Sequence, residues 1–221
     1  MYKEFLSEEL ENMFYKDYGY TPKQMDKVTN FIRQTFGEEK DEDGFIFHEI
    51  KSEHVHVDVT MANDGDFKYF VTFGMGAREM PNCVTYQDEE LSRLELHFIL
   101  SSKCKFKLTD KSNYIIAGEL QNIAKYPFRE NTFFAPGHTI NVSKEFKKKF
   151  GYDYVLFFVP TESLFVEGLG KVHFIPLIPI YKKERDWMVK NNSFDWMRAF
   201  FEEHDMDAIC VDNKREEFIP N

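Results

Sequence analysis

The densest run of chemistry-bearing side chains is His54-Val55-His56-Val57-Asp58-Val59. Two imidazoles and a carboxylate are donor types that zinc accepts, and a metal held by His54, His56 and Asp58 would activate water for hydrolysis. Valine rather than histidine follows Asp58, and no later histidine-rich segment completes a ligand set. Polar-out alternation along a half-buried strand accounts for the same three residues without a metal. A second combination is Cys83 with His97 or His138, since an imidazole in contact with a thiol can activate it as a nucleophile. Cys83 lacks the glycine-flanked elbow or helix N-terminus that exposes and activates such a thiol, and free cysteines are commonly inert apolar residues. The sequence has no Walker A loop, dinucleotide fingerprint or H-E-x-x-H, and the glycines of GMG and GLG read as turn residues. The expectation is a protein that is not an enzyme and has no cofactor.

The whole-chain chemistry agrees. The 221 residues carry 28 basic and 38 acidic side chains, a net charge of −10, with 43% hydrophobic and 17% aromatic content. That is enough apolar matter for a core, and the wrong sign for tracking nucleic-acid phosphates. No uncharged stretch approaches the roughly 20 residues that span a bilayer, so no membrane contact is expected. The start, MYKEFLSEELENMF, has acidic residues where a secretory signal has basic and apolar regions. Cys83, Cys104 and Cys210 are odd in number and widely spaced, fitting a reducing compartment rather than a disulfide framework. Cytoplasmic localisation is the expectation.

The elements that must position these residues follow from periodicity. Leu6, Leu10, Met13 and their neighbours suggest a short helix over 4–15. Thr21 reads as an N-cap with Pro22 at the first helical position, and Met25, Val28, Ile32 and Phe36 supply a helical stripe up to Gly37. The acidic run 38–43 reads as a solvated turn. The period then changes to two, predicting strands at 45–50, 54–60, 67–73 and 93–100, with Asn63-Asp64-Gly65-Asp66 as a hairpin turn. In LELHFIL, Leu94, Leu96, Phe98 and Leu100 define a core face, leaving Arg93, Glu95 and His97 on a wetter one. A helix over 114–126 should stop at Pro127. Apolar strands at 154–159 and 172–180 suit the sheet centre, although Pro176 and Pro179 require an edge or a bulge. Helices over 181–191 and 193–204, the second capped by Ser193, close the chain. The fold class is α+β, a single domain with one mostly antiparallel or mixed central sheet flanked by helices.

Several segments of unusual glycine, proline and aromatic content stand in a recognisable order. They are Thr72-Phe73-Gly74-Met75 at a strand end, the Glu95-Leu96 strand, a helix with Leu120, Ala124 and Tyr126, then Thr132-Phe133 followed by Gly137-His138, and finally Pro179-Ile180-Tyr181 with Glu184. Together they resemble the suppressor of fused domain, shared by a eukaryotic Hedgehog-pathway regulator and compact bacterial proteins. The pattern departs at Gly76, where serine is usual. The resemblance implies an N-terminal helical segment at 1–44, a suppressor-of-fused-like α+β domain at 45–210 and a C-terminal tail at 211–221. It implies a non-catalytic, protein-binding role through an extended peptide or a basic surface, as in immunity proteins that neutralise a cognate toxin. By position it points to Arg78, Glu79 and Met80 after the Gly-Met turn, to Asp88, Glu89 and Glu90 before the Glu-Leu strand, and to His138. An acidic domain of this kind suits the basic cleft of a nuclease toxin. The competing readings are the His54/His56/Asp58 hydrolase and a scaffold that self-associates through a sheet edge. A monomer is favoured.

Overall fold

A computed structural model describes residues 19–37, 46–48, 54–104, 111–212 and 214–220. The expected helix over 4–15 and the acidic run 38–43 lie outside them. Five helices and ten strands are described. Helix α1 (Pro22–Phe36) begins with the predicted cap: Thr21 Oγ1 accepts the Gln24 amide at 3.4 Å, and the Gln24 side chain accepts the Thr21 amide at 2.9 Å. Strands β1 (Ile46–Phe47), β2 (Asp58–Asn63) and β3 (Phe67–Phe73) form an antiparallel meander. The β2–β3 turn is closed by Asp64, whose carboxylate accepts the Asp66 and Phe67 amides at 2.9 and 2.7 Å. A small hairpin, β4 (Thr85–Tyr86) and β5 (Glu89–Glu90), precedes β6 (Leu94–Ser101). After α2 (Lys111–Glu130), β7 (Thr139–Asn141) and α3 (Lys144–Phe150), strands β8 (Tyr154–Phe157), β9 (Glu162–Val166) and β10 (Gly170–Ile180) complete the sheet. Helices α4 (Lys182–Lys190) and α5 (Ser193–Glu203) follow.

The sheet runs β1-β2-β3-β6-β10-β8-β7, with β9 also on β10. Its pairs are antiparallel apart from β6–β10, which is parallel, so the predicted mixed α+β class holds. Strand β10 has two neighbours in succession along one edge, β9 against Gly170–Phe174 and then β8 against Leu177–Ile180. That succession accommodates both prolines without a bulge. Pro176 faces the junction between β9 and β8, where its carbonyl accepts the Phe158 amide at 3.0 Å. Pro179 lies beyond the last β6 pair, and its carbonyl accepts Arg215 Nη2 at 3.1 Å.

Three apolar clusters fill the two faces. Ile116, Leu120, Ile123 and Ala124 of α2 pack with Phe146 and Phe150 of α3 on Leu94, Leu96, Phe98 and Leu100. On the other face, Val28, Ile32 and Phe36 of α1 meet Val71, Val172 and Phe174. Beside them, Met188, Trp196 and Phe200 of α4 and α5 meet Ile99, Leu156 and Ile178. The second face of β6 is therefore not wet, because α1 covers it: Glu95 is fully buried and His97 is 2% exposed. Pro127 does not end α2, which continues to Glu130 with Pro127 itself buried. Proline's fixed φ is helical, so so near the terminus it removes an intrahelical bond without forcing the chain out. Asn192, not Ser193, caps α5, its side chain accepting the Phe194 amide at 2.8 Å. Among the described helices none is long and apolar enough to cross a membrane.

The tail is bound into the third cluster. Arg215 donates to both carboxylate oxygens of Glu184, and its guanidinium lies 4.9 Å from the Phe200 ring centre and 5.3 Å from that of Tyr181. Glu184 also accepts the Tyr181 and Phe218 amides at 2.7 and 2.8 Å. Removing one member of such a buried pair strands the other charge, so Arg215→Met should cost about 3–5 kcal/mol. The Arg215→Met/Glu184→Gln double variant should recover part of that loss, both read by urea unfolding at neutral pH. His97 gives a second expectation. Burial between Phe36 and Tyr69 pushes its imidazole from 6.5 down to about 3. The folded chain therefore binds fewer protons than the unfolded one in that window, and His97 removes stability as pH falls from 6.5 towards 3. His97→Leu should unfold at lower pH than the native chain in an acid titration followed by circular dichroism.

Candidate functional site

The turn that carries the proposed contact loop is organised by one carboxylate. Glu95 Oε1 accepts the Tyr20 hydroxyl at 2.9 Å and the Gly74 and Gly76 amides at 2.9 and 3.0 Å. Its Oε2 accepts the Thr72 hydroxyl at 2.6 Å, while Thr72 Oγ1 takes the Leu96 amide at 2.7 Å. Thr72 thus ties β3 to β6, and Glu95 folds the chain after β3 into the short 3₁₀ turn Met75–Ala77. Glycine is required twice there. Gly74 has φ +120° and a Cβ on it would sit 2.3 Å from the His56 carbonyl oxygen; a Cβ on Gly76 would sit 2.6 Å from the Tyr20 hydroxyl and from Val172. Gly76 carries no side chain where the Tyr20 hydroxyl fills the space. Arg93 fixes the far end of the turn by donating to the Gly76 and Ala77 carbonyls at 3.2 and 2.7 Å and to Glu79 at 3.2 Å.

The residues expected at a partner surface divide. Arg78 and Glu79 are exposed, Arg78 on the His54 carbonyl and Glu79 on Arg93. Met80 is only 4% exposed and its sulfur accepts the Phe134 amide at 3.4 Å, so it belongs to the core side of the loop. Asp88, Glu89 and Glu90 stand exposed on the β4–β5 hairpin. Its turn residues Gln87 and Asp88 both have left-handed φ, 49° and 65°, the geometry that matches the twist of a two-residue hairpin. Glu89 pairs with Lys171 of β10, and Glu90 accepts from Cys83 Sγ at 3.4 Å. His138 is exposed, its ring 5.4 Å from that of Phe133, in a groove apart from the hairpin.

Residues that the sequence reasoning did not select link these pieces. Tyr86 stacks on Phe194 of α5 with ring centres 6.0 Å apart and planes within 6°. A groove of about 410 Å3 lined by Phe133, His138, Met188, Val189 and Ser193 reaches the start of α5, next in sequence to Phe194. A second, polar groove, also of about 410 Å3, runs from Tyr86 and the rest of the hairpin to residues 159–163, with His173 in its wall. His173, the polar interruption in the apolar run Val172–Ile180, was the available signal. Phe194, exposed at 41% in the first turn of α5, was another.

The alternative sites separate differently. His54 is exposed, whereas His56 and Asp58 are buried and bonded to each other at 2.8 Å, with His48 3.0 Å from the second Asp58 oxygen. The strand begins only at Asp58, so the polar-out alternation expected for 54–60 does not form. Among the described residues no group of three or more histidine, cysteine or acidic side chains is arranged to hold a metal. Cys83 meets the Glu90 carboxylate rather than an imidazole, and that bond raises its thiol pKa, the opposite of activation.

Burial raises Glu95 above the ordinary carboxylate value of 4.5, although its four donors pull the other way. The folded state therefore holds a proton that the unfolded state releases, and native stability falls as pH rises from 4.5 through the folded pKa. Glu95→Gln keeps an acceptor for the three Oε1 donors and carries no such dependence. It should lie within about 1 kcal/mol of the native chain near pH 5 and gain on it as pH rises. Glu95→Ala, which strands four buried donors, should cost about 3 kcal/mol or more in the same unfolding series.

A family model described as suppressor of fused protein matches residues 53–215. Among solved structures, the chain is similar to one titled the Sufu-Fu complex crystal structure, with 13% identity, a TM-score of 0.60, and 85% of this chain covering 88% of that one. It is also similar to Drosophila Suppressor of Fused, with 15% identity, a TM-score of 0.50, and 72% of this chain covering 42% of that one. At these identities the structural likeness concerns the fold. A comparison with curated proteins gives no match. The family match spans well over half of the sequence and includes the Glu95 turn, the hairpin and both grooves: the chain belongs to the suppressor of fused family.

Proposed function

We propose that this domain is a non-catalytic binding module that captures a polypeptide partner, and that it acts in the cytoplasm as an immunity-type protein neutralising a cognate toxin. The observation that carries the reading is the β4–β5 hairpin. It presents Asp88, Glu89 and Glu90 to solvent on a turn braced by the Tyr86–Phe194 stack and the Glu89–Lys171 pair. A preorganised acidic projection favours encounter with a basic surface and loses little ordering entropy on docking. One solved relative is titled as a complex with a second protein, Fu, which is consistent with partner capture as the mode of action. The identity of the partner as a toxin rests on the bacterial members of the family.

A second reading has its own observation. Strand β9 pairs with β10 and with no other described strand, and its Phe165 is 64% exposed. An open edge bearing an aromatic side chain suits self-association. It predicts a mass that rises with concentration and reverts to monomer in Phe165→Lys, measured by light scattering.

The binding reading is tested by native affinity capture from the source cells with mass spectrometry, followed by titration of the captured protein. A stoichiometric complex is expected. Replacing Asp88, Glu89 and Glu90 together by alanine should weaken it about tenfold or more, mainly by slowing association, with little change in unfolding midpoint. Unchanged affinity in the triple variant would remove the hairpin from the interface.

A further inference from the structure

The sheet ends at β7 with backbone groups left over. Thr139, Ile140 and Asn141 pair with Leu156, Val155 and Tyr154 of β8. The His138 carbonyl accepts the Phe157 amide at 2.9 Å, and the Val142 amide donates to the Asp153 carbonyl at 3.2 Å. Antiparallel alternation then turns the N–H and C=O of Ile140 towards β8 and those of Thr139 and Asn141 away from it. No described strand pairs with β7 on that outer side. Such a row of two donors and two acceptors is a template for another extended chain.

The apolar groove beside β7 has the shape of that missing neighbour. Its walls come from opposite layers of the domain. Tyr126, Phe133, Phe134 and Ile140 belong to the α2 cluster, and Met188 belongs to the cluster under α4 and α5. Those clusters lie on opposite faces of the sheet, so one groove touches both only where the sheet stops. The space of about 410 Å3 therefore continues the sheet past β7, with Thr139 and Ile140 at its inner edge and Val189, 66% exposed, on the α4 side. A strand placed there would direct alternate side chains to Phe133 and Ile140 on one face and to Met188 and Val189 on the other. The lining includes Arg185 and no acidic side chain, which disfavours a basic residue inside. The slot also adjoins the surface assigned to the partner: a Cβ added to Gly137, just before β7, would sit 3.3 Å from the Phe194 ring, which stacks on Tyr86 of the acidic hairpin.

We propose that this slot receives an extended, apolar segment of the protein partner, which adds to the sheet as a further strand against β7. The inference rests on the partner-binding reading and assigns the partner an anchoring segment. Main-chain bonds to Thr139 and Asn141 would give affinity, and the two apolar walls would select the side chains.

The test titrates the full 15N-labelled chain with acetylated, amidated heptapeptides of alternating valine and threonine between terminal glutamates. These should shift the Thr139 and Asn141 amide resonances saturably and slow their hydrogen exchange. Lysine in place of the valines should weaken binding about tenfold or more, as should methylation of the peptide nitrogens on the edge that pairs with β7. Val189→Lys, a change at an exposed position, should weaken it similarly with little change in unfolding midpoint. Absence of a saturable shift at millimolar peptide, or equal binding of the methylated peptide, would overturn the proposal. So would a mass that rises with concentration in the native chain and not in Val189→Lys, because the slot would then belong to a second copy. The two readings fail separately. If a captured partner binds native chain and Val189→Lys equally, the slot assignment is wrong and partner binding stands. If the peptide fills the slot while native capture yields no partner, the slot assignment stands and the partner reading falls.

Discussion

Everything on the hairpin side of this domain depends on a carboxylate that water never touches. Glu95 collects donors from Tyr20 before α1 and from the stretch Thr72–Gly76, so three stretches distant in sequence, counting its own strand β6, meet at one carboxylate. Hydrogen bonds of this kind contribute modest net stability but impose a large penalty if broken, which makes the arrangement specific rather than strong. The desolvation that raises Glu95 above its usual range is the cost of that specificity. With the turn fixed, Arg93 can hold the loop that leads to the hairpin, whose Glu89 is tied to Lys171 of β10.

The projecting surface is thus rigid at its base and charged at its tip. Two grooves of similar size, one reaching Tyr86 and one reaching Ser193 at the start of α5, differ in chemistry. The Phe133, Met188 and Val189 groove offers apolar contact; the groove with Gln87, Glu89, Thr161 and Glu162 offers polar contact. Interfaces draw their energy from a few anchors in desolvated pockets, while charge around them governs encounter.

Much of this was legible from residue types. Thr21, Pro22 and Gly37 bound α1, Asn63 to Asp66 make the predicted hairpin, and the five ordered motifs led to the family. What was not legible was burial contributed by other elements. The alternation in LELHFIL is real, but periodicity cannot say that α1 covers the second face, so Glu95 and His97 read as wet. The same blindness applied at HVHVDV, where His56 and Asp58 pair inside the protein instead of pointing outward. Pro127 obeys its local rule of removing a donor, yet packing keeps the helix going for one more turn. The hairpin acids were found by position, whereas the Tyr86–Phe194 stack and the His173 groove join residues far apart in sequence and required the fold to be seen.

The parallel pair β6–β10 has a kinetic consequence. Its partners are separated by α2, α3 and the strands β7 to β9, while the neighbouring ladders β2–β3 and β9–β10 close through short turns. Local hairpins form on microsecond timescales, and joining distant strands must first overcome loop-closure entropy. The β6–β10 seam therefore carries the longest loop closure of the described ladders, and it places His173 beside Leu94 and the hairpin against Lys171. The Glu89–Lys171 anchor of the hairpin is complete only once that longest closure has been made.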